Sequence, residues 1–242
     1  LAPAFQGTTD GQAAVAILRK CVQCGFCTAT CPTYQLLGDE LDSPRGRIYL
    51  ITQVLEGHTP TRSTQLHLDR CLTCRNCEST CPSGVQYGQL IDIGRKLVDA
   101  QVPRPLAERA TRWVLKEGLT SPLFAPAMQL GQAVRALLPE GVRAKVPAPE
   151  EAGAWPLRQH ARKVLLLAGC VQPALLPNLN YAAARVLYAA GIQTVLAGNV
   201  GCCGAVKFHL NDQDGGRAQM RANIDAWWPM VESGKVEAIV VN

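Results

Sequence analysis

The sequence predicts an α-helical domain that holds two metal clusters, followed by the first part of an α/β domain built on a parallel sheet. Three observations predict it. A phrase of four cysteines and a proline occurs twice, as Cys21-Val-Gln-Cys24-Gly-Phe-Cys27-Thr-Ala-Thr-Cys31-Pro32 and as Cys71-Leu-Thr-Cys74-Arg-Asn-Cys77-Glu-Ser-Thr-Cys81-Pro82. The chain between and after the two phrases carries apolar residues at helical spacing. From Arg162 onward, short apolar runs alternate with helical stretches in the order β-α-β-α-β, the start of a doubly wound sheet.

Both phrases read C-x₂-C-x₂-C-x₃-C-P, the run by which bacterial-type ferredoxins hold [4Fe–4S] clusters. Zinc sites prefer two separated cysteine pairs closed by four ligands, so two full runs of four point to iron–sulfur. In two-cluster ferredoxins the fourth cysteine of each run ligates the other cluster. The first three thiols sit in one tight loop. The fourth follows a further turn, and its proline stops the chain from folding back. The expected ligand sets are Cys21, Cys24, Cys27 and Cys81 for one cluster, and Cys71, Cys74, Cys77 and Cys31 for the other. Such a crossing ties the two halves together, so losing a cluster should also unfold the domain.

Composition agrees with this chemistry. Of 242 residues, 48% are hydrophobic and 18% charged, the balance of a folded globular protein and not of a disordered one. Eleven cysteines clustered in C-x₂-C phrases argue against a secreted disulfide framework and for a reducing, cytoplasmic setting. The formal charge of +5 counts every thiol as neutral. A 2+ core held by four thiolates adds −2 at each site, leaving about +1, so the basicity is no argument for nucleic acid. Leu1 to Asp10 has no cationic or apolar leader segment, and no run approaches the ~20 apolar residues of a membrane span. The chain starts without methionine and stops in an apolar segment, which reads as a fragment.

In chain order, Asp10 is expected to cap a short helix through Ala13, Ala14, Ile17 and Leu18 that leads into Cys21. Ser43 as N-cap, Pro44 at the first position and Gly57 beyond the end frame a helix from Arg45 to Glu56, with Ile48, Ile51 and Leu55 on one face. Thr64 to Arg70 reads as a short helix running into Cys71. Tyr87 to Ala100 reads as a longer one with Leu90, Ile93 and Leu97 in a stripe. Residues 1–102 therefore form the expected cluster domain. Residues 103–160 hold two amphipathic helices, Arg109 to Leu115 and Ala127 to Leu138, then a proline-rich linker. Residues 161–242 open with Val164 to Leu167, a run suited to a strand buried on both faces. A helix from Leu179 to Ala190, a strand from Ile192 to Leu196, a helix from Arg217 to Trp228 and a strand from Val236 to Val241 complete the pattern.

Parallel sheets bind ligands beyond the carboxyl ends of their strands, so Cys170, Cys202 and Cys203 should converge on one edge as a third, incomplete site. A further cysteine is expected soon after Asn242. Arg45 and Arg47, at a helix start, read either as charges that raise a cluster potential or as a solvated face. Trp227 and Trp228 read as helix-to-sheet packing in preference to a partner anchor. His58, His67, His160 and His209 are scattered; only His209 lies close to Cys203, and a surface or packing role is the simpler reading.

At Cys170 and, after a gap, Cys202-Cys203-Gly204, the chain resembles the first half of a cysteine-rich CCG domain. With CVQCGFCTATCPTYQLLGDELDSPRGRIYL, HLDRCLTCRNCESTCPSG, GCCGAVKFHLN and NIDAWWP, it resembles the iron–sulfur subunits of bacterial glycolate oxidases (glycolate dehydrogenases). The resemblance implies an electron-transfer subunit without a catalytic residue of its own. It carries two [4Fe–4S] clusters, with a third iron–sulfur site in the full-length protein. FAD is implied on a partner dehydrogenase subunit that turns glycolate into glyoxylate. Quinone is implied as the acceptor, at the inner face of the cytoplasmic membrane. The alternatives are heterodisulfide reductase and the iron–sulfur subunit of anaerobic glycerol-3-phosphate dehydrogenase, with thiol or cluster chemistry at the CCG site.

Overall fold

The computed structural model describes residues 1–198 and 200–241. They divide into two compact units, Leu1–Pro105 and Leu106–Asn242. The first is helical. The second carries a parallel sheet.

In the first unit, α1 (Thr9–Leu18) leads into the first cysteine run, which α2 (Pro32–Leu37) follows directly. Helices α3 (Pro44–Leu55) and α4 (Arg62–Asp69) lead to the second run, which contains α5 (Asn76–Ser79), and α6 (Tyr87–Gln101) closes the unit. The long helix α6 packs against α1, α3 and α4. Its buried stripe of Leu90, Ile91, Ile93 and Val98 meets Ile17, Ile48, Ile51, Val54, Leu55 and Leu68 in one core. The helices α3 and α6 approach closely where Gly94 meets Ile51, since a Cβ on Gly94 would stand 2.5 Å from Ile51 Cγ1.

The helix ends follow local chemistry, with one change from expectation. Ser43 caps α3, its hydroxyl accepting from the Gly46 amide at 2.9 Å with Pro44 in the first turn. Thr61 caps α4 through a reciprocal box with Thr64. For α1 the cap is Thr8, whose hydroxyl accepts from the Gly11 amide, and not Asp10. Asp10 lies in the first turn and accepts instead from Lys96 of α6 at 2.7 Å.

A buried carboxylate ties three of these segments together. Asp42, in the turn Glu40–Asp42 before α3, is 0% exposed and accepts from Arg70 at 2.8 Å, His67 Nδ1 at 3.0 Å and Arg47 at 3.4 Å. Burial works to raise its pKa, but hydrogen bonds from His67 and Arg70 outweigh that and hold it below the ordinary carboxylate range. Arg47 is 1% exposed and also donates to the His67 carbonyl at 2.7 Å. It is not on a solvated face.

In the second unit, α7 (Leu106–Trp113) runs on into a wide turn at Val114–Gly118, and α8 (Phe124–Ala133) and α9 (Glu140–Arg143) follow. The sheet comprises β1 (Arg162–Leu167), β2 (Ile192–Val195) and β3 (Ala238–Val241) in the order β2-β1-β3, all parallel. Central β1 buries Val164 to Leu167, as its unbroken apolar run requires. After β1 come α10 (Gln172–Leu175) and α11 (Pro177–Ala189); after β2 come α12 (Ala205–His209) and α13 (Gln213–Glu232). Helix α8 packs on α10, and Lys207 of α12 bonds Glu117 at 3.1 Å, so the helices before the sheet belong to its packing. Two expectations change. The last helix extends beyond Trp228 through Pro229, and Trp228 is 55% exposed, so packing on the sheet does not cover it.

Replacing Asp42 by asparagine leaves two arginines without their buried partner. We expect anaerobic guanidinium unfolding to show the variant less stable by about 3 kcal/mol, the usual cost of breaking a buried ion pair. A loss under ~0.5 kcal/mol, typical of a surface change, would contradict this account of the network.

Candidate metal centre

The two cysteine runs are built alike down to the backbone. Each first cysteine follows a helix end, with Cys21 N–H donating to Leu18 at 3.0 Å and Cys71 N–H donating to Leu68 at 3.3 Å. Positive φ angles then recur at matched positions: Gln23 (58°) and Gly25 (83°) in the first run, Thr73 (56°) and Arg75 (60°) in the second. These left-handed residues wind the loop so that successive amides and thiols face inward. Gly25 adopts that conformation freely; Gln23, Thr73 and Arg75 adopt it at a cost of roughly 1–3 kcal/mol each. The fourth cysteine is set by the same turn in both, Cys31 N–H donating to Thr28 at 3.2 Å and Cys81 N–H to Glu78 at 3.1 Å.

Two neighbouring cavities result. The first is lined by Cys21, Cys24, Cys27 and Cys81 with Arg45 and Tyr87, and by Cys77, which the two cavities share. The second is lined by Cys31, Cys71, Cys74 and Cys77 with Arg47 and Tyr87. The fourth cysteine of each run therefore faces the cavity of the other run's first three. Arg95 of α6, itself buried, fixes the second loop by donating to the carbonyls of Leu68 at 3.0 Å, Asp69 at 3.2 Å and Cys71 at 2.5 Å.

These donor sets suit a polynuclear cluster and not a single ion. Four thiolates on one zinc, at about 2.3 Å each, lie roughly 3.8 Å apart. Among the described residues, the only group of three or more potential ligands with donor atoms within 4.8 Å of one another is Asp39, Asp42 and His67. No three cysteine sulfurs gather that tightly. The Asp42 carboxylate of that group is already engaged by two arginines, which makes it an ion-pair hub.

A second observation points the same way. Tyr87 is 4% exposed, lines both cavities, and its hydroxyl finds no hydrogen-bond partner of standard geometry within the protein. Burial and the neighbouring Cys71 thiol push its pKa well above 10, so it remains a proton donor at neutral pH. An orphaned donor between two thiol-lined cavities fits sulfide or thiolate acceptors there. Burial and Cys71 likewise push Cys77 up to about 12, so ligation must release a tightly held proton.

In the second unit, Cys170 follows β1 and Cys202 and Cys203 follow β2, beyond the carboxyl ends of the strands. Cys170 and Cys202 meet with their sulfurs 3.2 Å apart. Cys202 is buried, and burial raises its pKa. Asn223 of α13 clamps this loop, accepting from Gly201 N–H and donating to the Cys202 carbonyl, both at 2.9 Å. Gly204 has φ 86° and no room for a Cβ, which would stand 2.4 Å from the Gly216 carbonyl oxygen. Cys203 is exposed, and the three sulfurs do not all lie within 4.8 Å of one another. All three cysteines lie in the loops after β1 and β2, and within them Cys170 and Cys202 are the pair in contact. His209, on α12, stacks edge-on against Phe208. The cysteine expected after Asn242 lies outside the described residues.

The fold and site define a cluster-binding ferredoxin module joined in one chain to a cysteine-rich α/β module. Comparison with known families agrees: residues 17–85 match the 4Fe-4S dicluster domain, and residues 164–242 match the cysteine-rich domain called CCG. The chain is 59% identical over 226 residues to the glycolate oxidase iron-sulfur subunit of Escherichia coli K12, covering 93% of this chain and 55% of that protein. It is 30% identical over 258 residues to the probable glycolate oxidase iron-sulfur subunit of Bacillus subtilis 168, covering 93% and 56%. It is similar along most of its length to these bacterial glycolate oxidase iron–sulfur subunits, and it spans about half the length of these curated relatives. No solved structure matches it.

The 3.2 Å pair makes a direct prediction. Diamide, taking up two electrons and two protons from the pair, should link Cys170 to Cys202 and leave Cys203 open to alkylation. Peptide mapping that finds Cys203 linked instead would contradict the geometry.

Proposed function

We propose that the chain is the electron-transfer portion of the iron–sulfur subunit of a flavin-dependent 2-hydroxy-acid dehydrogenase, with glycolate as the substrate oxidised to glyoxylate on another subunit. The observation that carries the reading is the pair of adjacent thiol-lined cavities, each drawing its fourth cysteine from the other run. The similarity to glycolate oxidase subunits supports the substrate class.

In this reading Cys21, Cys24, Cys27 and Cys81 hold one [4Fe–4S] cluster and Cys71, Cys74, Cys77 and Cys31 hold the other. Bound in these cavities, the clusters supply one-electron transfer without proton chemistry. The protein's part is to fix the thiolates, exclude water with the Tyr87 wall, and set the charge that the clusters meet. Cys170, Cys202 and Cys203 contribute to a third iron–sulfur site in the full-length protein. FAD sits on a partner dehydrogenase subunit, and quinone accepts the electrons. No helix among the described residues is long and apolar enough to cross a membrane. In this reading the subunit delivers electrons to quinone by peripheral association at the cytoplasmic face.

Anaerobically prepared protein should contain about eight irons and give two interacting [4Fe–4S]⁺ signals on reduction. Finding zinc in their place would end this reading. The crossing has its own test. Cys31→Ser and Cys71→Ser should abolish the same electron paramagnetic resonance signal, while Cys81→Ser and Cys21→Ser abolish the other. Loss of the Cys21 signal by Cys31→Ser would show that each run serves itself.

A further inference from the structure

The two cavities are alike in thiols and unlike in the charge beside them. At the first, Arg45 is partly exposed and its Nε is bonded to Glu40 at 2.8 Å, so solvent and a carboxylate both screen it. At the second, Arg47 is buried, and both its terminal nitrogens reach Thr33 Oγ1 at 3.2 Å. Thr33 Oγ1 in turn lies 3.2 Å from Cys31 Sγ, and Arg47 Nη1 lies 4.0 Å from the same sulfur. Asp42 is shared between Arg47 and the part-exposed Arg70 and lies closer to Arg70, so it offsets the buried Arg47 charge only in part.

The direction of the chain of hydrogen bonds follows from ligation. A metal-bound Cys31 sulfur has no proton and can only accept. Arg47 has only donors, so it polarises the Thr33 hydroxyl, whose single hydrogen has two acceptors at 3.2 Å, the Asp42 carbonyl and the Cys31 sulfur, of which the thiolate is the charged and stronger one. Donors and buried positive charge next to a thiolate favour whichever state of the cluster carries more negative charge, which is the reduced one.

We propose that Arg47, acting through Thr33 on Cys31, raises the reduction potential of the cluster held by Cys31, Cys71, Cys74 and Cys77 above that of its neighbour, making it the electron sink of the pair. Asp42 is the positioning residue that holds the guanidinium in place. The proposal rests on the iron–sulfur reading of the two cavities.

The test is a redox titration of the anaerobic, cluster-loaded full chain, followed by electron paramagnetic resonance. Thr33→Val removes the hydroxyl at nearly constant volume and should lower one midpoint, that of the signal lost in Cys71→Ser, and leave the other in place. Thr33→Ser keeps the donor and should leave both midpoints in place. Arg47→Gln should lower the same midpoint further, by about tenfold in the one-electron equilibrium constant, which is 59 mV. If Arg47→Gln does not fold, the two Thr33 variants carry the test alone. Clusters present with both midpoints unmoved in Thr33→Val, or both lowered equally, would overturn the proposal. Absence of any [4Fe–4S] signal from the parent protein would instead overturn the underlying reading.

Discussion

The Asp42 carboxylate is the interaction on which the first unit depends. It is fully buried, and it accepts from α3 through Arg47, from α4 through His67, and from the helix end through Arg70. Without it, the Arg47 charge would lie buried in the unit whose core holds Ile48, Ile51 and Leu68 with no carboxylate to offset it. The same turn that carries Asp42 also packs under the start of α3, where a Cβ on Gly46 would stand 2.0 Å from the Glu40 carbonyl oxygen. One carboxylate thus sets where the helices begin relative to the loop that presents Cys31.

Much of this was legible in the sequence, because the chemistry was repeated. Two runs of four cysteines name their ligand type, and the trailing prolines separate the fourth thiol from the first three. The Ser43-Pro44 start and the α6 stripe were legible because capping and helical periodicity are local rules. The Asp42 network was not. Arg47 and His67 are twenty positions apart, and nothing in a charged residue at a helix start says whether it faces water or a carboxylate. Tyr87 was invisible for a similar reason: its role comes from standing between two loops, not from its neighbours in sequence.

The second unit shows where strand patterns mislead. The runs of β1 and β3 read alike, yet Leu165 is fully buried while Ile239 and Val241 are exposed; among the described residues β1 lies between two strands and β3 is at the edge. Apolar character predicted strands correctly and burial unevenly. The meeting of Cys170 with Cys202 followed from the topology of a parallel sheet, since both loops leave the same edge. Finer detail was not legible: Asn223 grips the Gly201 and Cys202 backbone, and Cys203, the next residue, is exposed.

The crossed cysteines have a consequence for how the protein is made. A ribosome releases the first run well before the second, but with these ligand sets Cys21, Cys24 and Cys27 wait for Cys81 and Cys31 waits for Cys71. Neither metal centre can be completed on the nascent chain until both runs have emerged. With the proposed ligand sets, maturation of this domain is a single event that waits for the second run and leaves no half finished on its own.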